Sequence, residues 1–275
     1  LDVWGAVTVT LGFGSLVYGF TLAEAGWLRA DTLGFLAGGV LLLALFVWIE
    51  SRVAHPLLPL RVVMHRVRAG AYLIQAIIGS VLIGTTLYMT LHLQLVLGMA
   101  PLMAGLATVV MTVSTLVVVP VFTRLLAVSG PRPLMVGGPL LAAAGMVWLG
   151  RITADGNYVT QMLPGLILLG AGIGITFVPL QNLALIGVAP ADAGAASATV
   201  NASMQLGGSV GLSLFALVAA SATATAQSAG EGISASLAAG YGLVFTSAAI
   251  ALLVAAAVAF ICIRGTKEGL MPSHA

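Results

Sequence analysis

Residues 69–91 read AGAYLIQAIIGSVLIGTTLYMTL, a stretch with no Asp, Glu, Lys or Arg. A bilayer core about 30 Å thick is crossed by about 20 mostly apolar helical residues, so this run is long enough to span one. In lipid the backbone amides must be satisfied internally, which leaves helices or a closed barrel, and a run of this length without alternation selects the helix. Seven further stretches read the same way: 3–22, 33–49, 104–126, 134–149, 163–188, 195–219 and 241–263. The expected fold class is therefore an all-α polytopic membrane protein with eight transmembrane helices. Composition points the same way. The 275-residue chain is 60% hydrophobic and 7% charged, with a mean hydropathy of +1.14, against about 25% charged residues in soluble domains. Ten Lys and Arg, eight Asp and Glu and four His cannot clothe a soluble globule of this size.

Breaks fall at 24–31, 50–68 with Pro56 and Pro59, 99–101, 129–133, 151–158, 190–192 and 221–240. The last is rich in Ala, Ser, Thr and Gly with Glu231 as its single charge, and is expected to be a long flexible external loop. The span 134–149 is the shortest, interrupted by Gly137, Gly138 and Pro139. Eight helices put Arg52, Arg61, Arg66, Arg68, Arg124, Arg132, Arg264 and Lys267 on one face and only Arg29 and Arg151 on the other. By the positive-inside rule both termini are expected to be cytoplasmic. The net charge of +2 thus reports orientation, and no nucleic-acid partner is implied. Cys262, the single cysteine, excludes an intrachain disulfide and a multi-cysteine metal site; it reads as a buried packing residue. No cofactor and no metal are expected. The chain opens Leu1-Asp2-Val3 without a methionine or a basic leader, and is expected to be part of a longer product.

A polar side chain inside a span marks a site by default, because it is expensive in lipid unless it faces a cavity or a partner helix. In the third span Gln75, Gly79, Thr86 and Thr90 fall within about 60° of one another, with Tyr88 and His92 on the opposite side. In the sixth, Gly170, Gly174 and Gln181 share about 40°, with Asn182 about 100° further round. In the seventh, Gly194, Ser197, Asn201, Gln205 and Gly208 fall within about 80°. The alternative is that these groups only bond helices together, at about 0.6 kcal/mol per contact. Gly170-x-x-x-Gly174 and Gly207-x-x-x-Gly211 read as packing contacts. Pro120 and Pro179 interrupt the amide ladder of their spans. No carboxylate lies in any span core: Asp2 and Glu50 fall at helix ends, Glu24 and Asp31 in a loop, and Asp192 where it is expected to N-cap the seventh helix. His92 faces away from the polar stripe and reads as structural.

Enzyme readings fail on geometry. Gly207-Gly208-Ser209-Val210-Gly211 matches a nucleophile elbow, yet His55, His65, His92 and His274 all lie away from the depth of Ser209, so it lacks a base. Gly170-Ala171-Gly172-Ile173-Gly174 lacks dinucleotide-binding spacing, and there is no metalloprotease or P-loop motif. The Asn201-Ala202-Ser203 sequon is embedded in a span.

Leu87-Tyr88-Met89-Thr90-Leu91-His92-Leu93-Gln94-Leu95-Val96-Leu97-Gly98, followed by Pro101 and Ala104-Gly105-Leu106, resembles the fourteen-helix drug:proton antiporters of the major facilitator superfamily. The resemblance extends to Gly170-Ala171-Gly172-Ile173-Gly174, Val178-Pro179-Leu180, Pro190-Ala191-Asp192-Ala193-Gly194-Ala195-Ala196-Ser197 and Asn201, Gln205-Leu206-Gly207-Gly208, Gly211. Asp2-Val3-Trp4-Gly5-Ala6 and Phe46, Glu50, Pro56-Leu57-Leu58-Pro59-Leu60 look like the two extra central helices of that family. It implies that the chain is a C-terminal portion, helices seven to fourteen. Residues 1–68 would be the two extra helices and a cytoplasmic loop, and 69–275 a six-helix transporter bundle in the cell membrane. The implied activity is proton-coupled efflux of amphipathic drugs or other small organic molecules by alternating access. Its partners would be the substrate, protons, the bilayer and an N-terminal six-helix half. Gln75, Thr86, Thr90, Gln181 and Asn182 would face substrate, and Asn201 and Gln205 would lie at the inter-domain seam. Arg124, Gly130 and Arg132 look like the remnant of the cytoplasmic gating motif, although no acidic residue occurs between 121 and 134. Two other readings are a carrier of a specific nutrient or metabolite and a non-transporting membrane accessory subunit.

Overall fold

With no water to satisfy them, the amides of the apolar runs close onto their own carbonyls, and each expected span is a helix in the computed structural model, which describes residues 3–23, 25–53 and 63–263. The helices are α1 Val3–Ala23, α2 Ala30–Glu50, α3 Arg66–Leu91, α4 Pro101–Ser129, α5 Pro131–Leu149, α6 Leu163–Ala184, α7 Ala193–Ser228 and α8 Ile233–Cys262. All eight are long and apolar enough to cross a membrane, and no strand occurs among the described residues. One π-helical turn, His92–Val96, extends α3, and another, Tyr158–Met162, leads into α6. The helices run on through Pro120, Pro139 and Pro179. Asp2, Glu24, His55, Pro56, Pro59, Arg61, Arg264, Lys267 and His274 lie outside the described residues.

One expected loop is absent. The flexible loop expected at 221–240 does not exist: α7 continues to Ser228, α8 begins at Ile233, and only 229–232 connect them. The segment is polar but alanine-rich, and alanine is the strongest helix former. Its hydroxyls bond back to their own helix, Ser221 to the Val218 carbonyl at 3.0 Å, Thr225 to Ser221 at 2.9 Å and Ser228 to Thr225 at 2.7 Å. At 36 residues α7 is about 54 Å long, well beyond an apolar core of about 30 Å, so its polar end stands clear of the lipid. Gly130, at φ +76°, is the single residue between α4 and α5, in a left-handed conformation that glycine tolerates best. Asp192 does occupy the N-cap position of α7, but without the expected side-chain cap bond.

From α3 to α8 the packing has internal symmetry. Helix α3 packs on α7 and α8, α6 packs on α4 and α5, and α5 packs on α8. Advancing each number by three, and returning α6, α7 and α8 to α3, α4 and α5, reproduces these pairs; the packing of α7 on α8 has only a slight counterpart between α4 and α5. Because three crossings separate equivalent helices, they run in opposite directions, the arrangement of an inverted repeat. Phe245, Ile74, Ile78, Met135, Met146, Leu166 and Leu180 fill the interior. Helix α4 stands apart: Ala104 and Leu126 are its buried residues, and Leu102, Val109, Val113, Leu116, Val117 and Val121 are exposed. The α1–α2 hairpin packs on itself, with Ser15 Oγ donating to the Phe35 carbonyl at 2.8 Å, and reaches the bundle through α1 on α7.

Small residues permit this packing. A Cβ on Gly79 would meet the Met204 carbonyl, one on Gly207 the Ala76 carbonyl, and one on Gly211 would meet Ser80, so α3 and α7 touch backbone to backbone. Gly170 and Gly174 bring α6 equally close to Met111 and Thr115 of α4, while Gly172 lies against Gly138 and Ala142 of α5. Both glycine pairs singled out in the sequence are thus packing contacts. Cys262 is half-buried with its Cβ over Gly70, which seats the end of α8 on α3. Gly207→Ala is expected to destabilise the protein by about 1–3 kcal/mol through overpacking. Gly105→Ala, which meets open space, is expected to change stability by less than about 0.5 kcal/mol. Unfolding of the two variants in mixed micelles checks both.

Candidate functional site

Hydroxyl groups draw α4 onto α6. Thr115 Oγ1 lies 2.8 Å from the Gly170 carbonyl and 3.0 Å from that of Met111, and Ser114 Oγ donates to the Ile167 carbonyl at 2.8 Å. Tyr158 repeats the tie near the other end, donating to the Ala107 carbonyl at 2.6 Å. With α4 held on α6 and α3 held on α7, a groove of about 280 Å³ opens between α3, α4 and α6. Leu82, Met111, Thr112, Thr115, Ile173 and Phe177 line it. Its wall is hydrocarbon and aromatic, and the Thr112 hydroxyl makes no hydrogen bond within the described protein, which leaves it free for a ligand.

The residues nominated from sequence are placed around this groove unequally. Thr86 is exposed one turn beyond Leu82 on α3, and Gln181 is exposed one turn beyond Phe177 on α6. Residues four apart share a helix face. Because α3 and α6 are antiparallel, these two polar groups mark opposite ends of the groove. Asn182 is exposed beside Gln181. The Thr86 and Thr90 hydroxyls donate to the Leu82 and Thr86 carbonyls at 2.5 and 2.9 Å, which leaves them as acceptors. Gln75 is buried at 2% exposure with Oε1 unpartnered, inside the packing and away from the open surface. Asn201 is exposed and donates to the Ser197 carbonyl at 3.2 Å. Gln205 lines a separate cleft of about 170 Å³ with Val17, Thr21 and Ile83, so α1 of this same chain stands against it.

Several contacts could not be read from the sequence. Arg68 donates to the Ile186 carbonyl at 2.6 Å, Tyr72 to Ala184 at 3.1 Å and Arg66 to Ile261 at 2.6 Å. The start of α3 thereby caps the C-terminal ends of α6 and α8, where orphan carbonyls and the helix dipole favour cations. In the sequence these arginines were orientation signals only. Of the three residues that the resemblance read as a gating-motif remnant, Arg124 is exposed, Gly130 makes the turn, and Arg132 stacks 4.9 Å from the Phe260 ring of α8. His92 is buried beside Tyr241, with ring centroids 6.4 Å apart. Finally, α4 supplies half of the groove, though its threonines carried no charge or amide to mark them. Ser209 lies within α7 and donates to the Gln205 carbonyl at 3.0 Å, which is not the strand-to-helix turn of a nucleophile elbow. Among the described residues no group of His, Cys, Asp and Glu could hold a metal ion.

No family model matches the chain. It is similar to the puromycin resistance protein pur8 of Streptomyces alboniger, at 40% identity over 217 residues, 78% of this chain and 43% of that protein. It is 35% identical over 224 residues to the cephamycin export protein CmcT of Amycolatopsis lactamdurans, covering 79% of this chain and 46% of the relative. With the tetracenomycin C resistance and export protein of Streptomyces glaucescens it shares 32% over 220 residues, 79% of this chain and 40% of the relative. The chain thus spans less than half the length of each of these relatives.

The caps and the orphan make opposite predictions for stability. Arg68→Met removes a charged donor from a helix end and is expected to cost about 1.5–3 kcal/mol. Gln75→Leu removes a buried acceptor that has no partner, and is expected to leave stability unchanged or raise it by about 1 kcal/mol. Thermal unfolding in one detergent, read on the same day for both variants, checks the contrast.

Proposed function

Because this multi-pass membrane chain is a relative of drug resistance and export proteins, as its resemblance to the fourteen-helix drug:proton antiporters implies, we propose that it is the C-terminal portion of a drug efflux transporter. The observation that carries this reading is the groove between α3, α4 and α6: apolar walls, a free hydroxyl at Thr112 and neutral hydrogen-bonding groups at either end. Such a surface suits amphipathic organic molecules, which it would hold by shape and dispersion, with Thr86, Gln181 and Asn182 orienting their polar parts. A carrier of one metabolite needs several convergent donors and acceptors, and this wall offers few.

In the mechanism we propose, residues 69–275 move as one body against an N-terminal six-helix half that would complete the site. The caps from Arg68 and Tyr72 onto α6, and the backbone contacts of α3 with α7, support rigid-body motion. Alternating access then exposes the groove to each side in turn. Residues 1–68 would link the halves, both termini being cytoplasmic. Gln75 would act from within the packing, its unpartnered Oε1 available when the helices shift. Protons would be exchanged for substrate at a carboxylate of the N-terminal half, because the groove of this bundle contains none.

The test uses the complete gene product in proteoliposomes. Gln181→Leu and Thr112→Val are each expected to lower drug transport at least fivefold at unchanged protein level, while Val117→Ala on the outer face of α4 leaves it unchanged. Normal transport in both groove variants would overturn the site. An imposed proton gradient is expected to drive uptake of drug into inside-out vesicles, and its collapse to abolish it. The 275-residue chain alone is expected to give no flux.

A further inference from the structure

A second and larger groove, of about 590 Å³, lies on the far side of α7, between that helix and the α1–α2 hairpin. Val9 and Phe13 of α1, Leu43 and Phe46 of α2, and Ala198 and Ala202 of α7 are among the residues that line it. It exists because α2 packs on α1, α1 makes the hairpin's main contact with α7, and the facing positions of α7 are too small to fill the gap. Its chemistry is one-sided. Thr199 and Ser203 are the hydroxyl residues of the wall, and both donate within α7, to the Ala195 carbonyl at 2.8 Å and the Thr199 carbonyl at 2.7 Å. No side-chain donor remains for a ligand, and the rest of the wall is apolar, so the occupant is recognised chiefly by hydrocarbon contact.

The dimensions decide which hydrocarbon. Along α7 the groove runs from Gly194, near the start of the helix, to Leu206, a rise of about 18 Å. One leaflet of the apolar core is about 15 Å deep. The same end carries Arg52, just beyond α2, stacked 5.4 Å over the Trp48 ring, a pair of side chains suited to the headgroup level. The groove therefore begins at the interface and ends near the midplane. We infer that it is a lipid site, holding one acyl tail of a phospholipid from the leaflet beside Arg52, so that the tail completes the contact between the hairpin and the bundle. The inference is independent of what the protein transports.

The protein reconstituted in nanodiscs with a phosphatidylglycerol bearing a diazirine midway along one acyl chain tests this. After photolysis, adducts mapped by peptide mass are expected on 195–206 at five or more times the density per residue found on the lipid-facing Val113, Val117 and Val121 of α4. Ala202→Phe and, separately, Ala198→Leu fill the groove and are expected to cut its adducts at least fivefold while leaving those on α4 unchanged, which also reports that the fold is retained. Equal adduct density on the two faces would overturn the site. So would adducts undiminished in both filled variants, or protection of 195–206 from labelling, the result if a protein segment occupies the groove.

Discussion

Backbone contact between helices at glycine is the interaction on which the rest of this structure depends. In lipid, burying an apolar side chain against another helix gains little over burying it against acyl chains, so association rests on close approach and dispersion. Backbones approach closely where Gly79 and Gly207 let α3 and α7 touch, and where Gly170 and Gly174 let α6 meet α4. These two contacts are related by the internal repeat. Once both are made, α3 and α4 are held on different partners, and the groove between them follows as a geometrical consequence.

The same logic explains why polar groups are spent mainly on the helices themselves. Thr176 and Thr246 bond carbonyls one turn back in their own helices, as do Ser203 and Ser209, which satisfies a hydroxyl in lipid without a second helix. Other groups join helices: Ser15 to α2 within the hairpin and, in the bundle, Thr115 and Ser114 across to α6, Tyr158 to α4, Arg68 and Tyr72 to the end of α6 and Arg66 to α8. They lie near the middle and the ends of the bundle, where a lost helix contact would otherwise let it splay. Gln75 is the counterexample, a buried acceptor left without a partner, and on the proposed function that deficit would matter when the helices move.

Several elements could be read from the chain alone, and the reasons differ. Eight spans were legible because backbone satisfaction in lipid depends only on a long run of apolar residues. Gly170 and Gly207 were legible as packing contacts from their spacing. The 221–240 segment was misread because Ser, Thr and Gly signal a loop in water, whereas here alanine and back-bonded hydroxyls carry the helix on to Ser228. Arg132 showed no acidic partner in sequence and had one of another kind, the ring of Phe260, 128 positions away. Helical phase grouped Thr86 with Gln75 and Gln181 with two glycines and set Asn182 apart, but phase cannot say which side of a helix faces an opening, and in the structure Thr86 and Gln181 are exposed while Gln75 is buried.

Sequence by itself determined the solvent of this protein, the number of membrane-length helices among the described residues, and its kinship with export proteins, because each follows from local runs and motifs. Only the tertiary structure decided where the helices part: that α4 supplies half of one groove, that small residues of α7 leave another beside the hairpin, and that Arg66 and Arg68 cap distant helix ends. The physical reason is that a cavity is the residue of packing. It is set by which pairs of helices approach closely, and that is a property of pairs of surfaces which no single run of sequence contains.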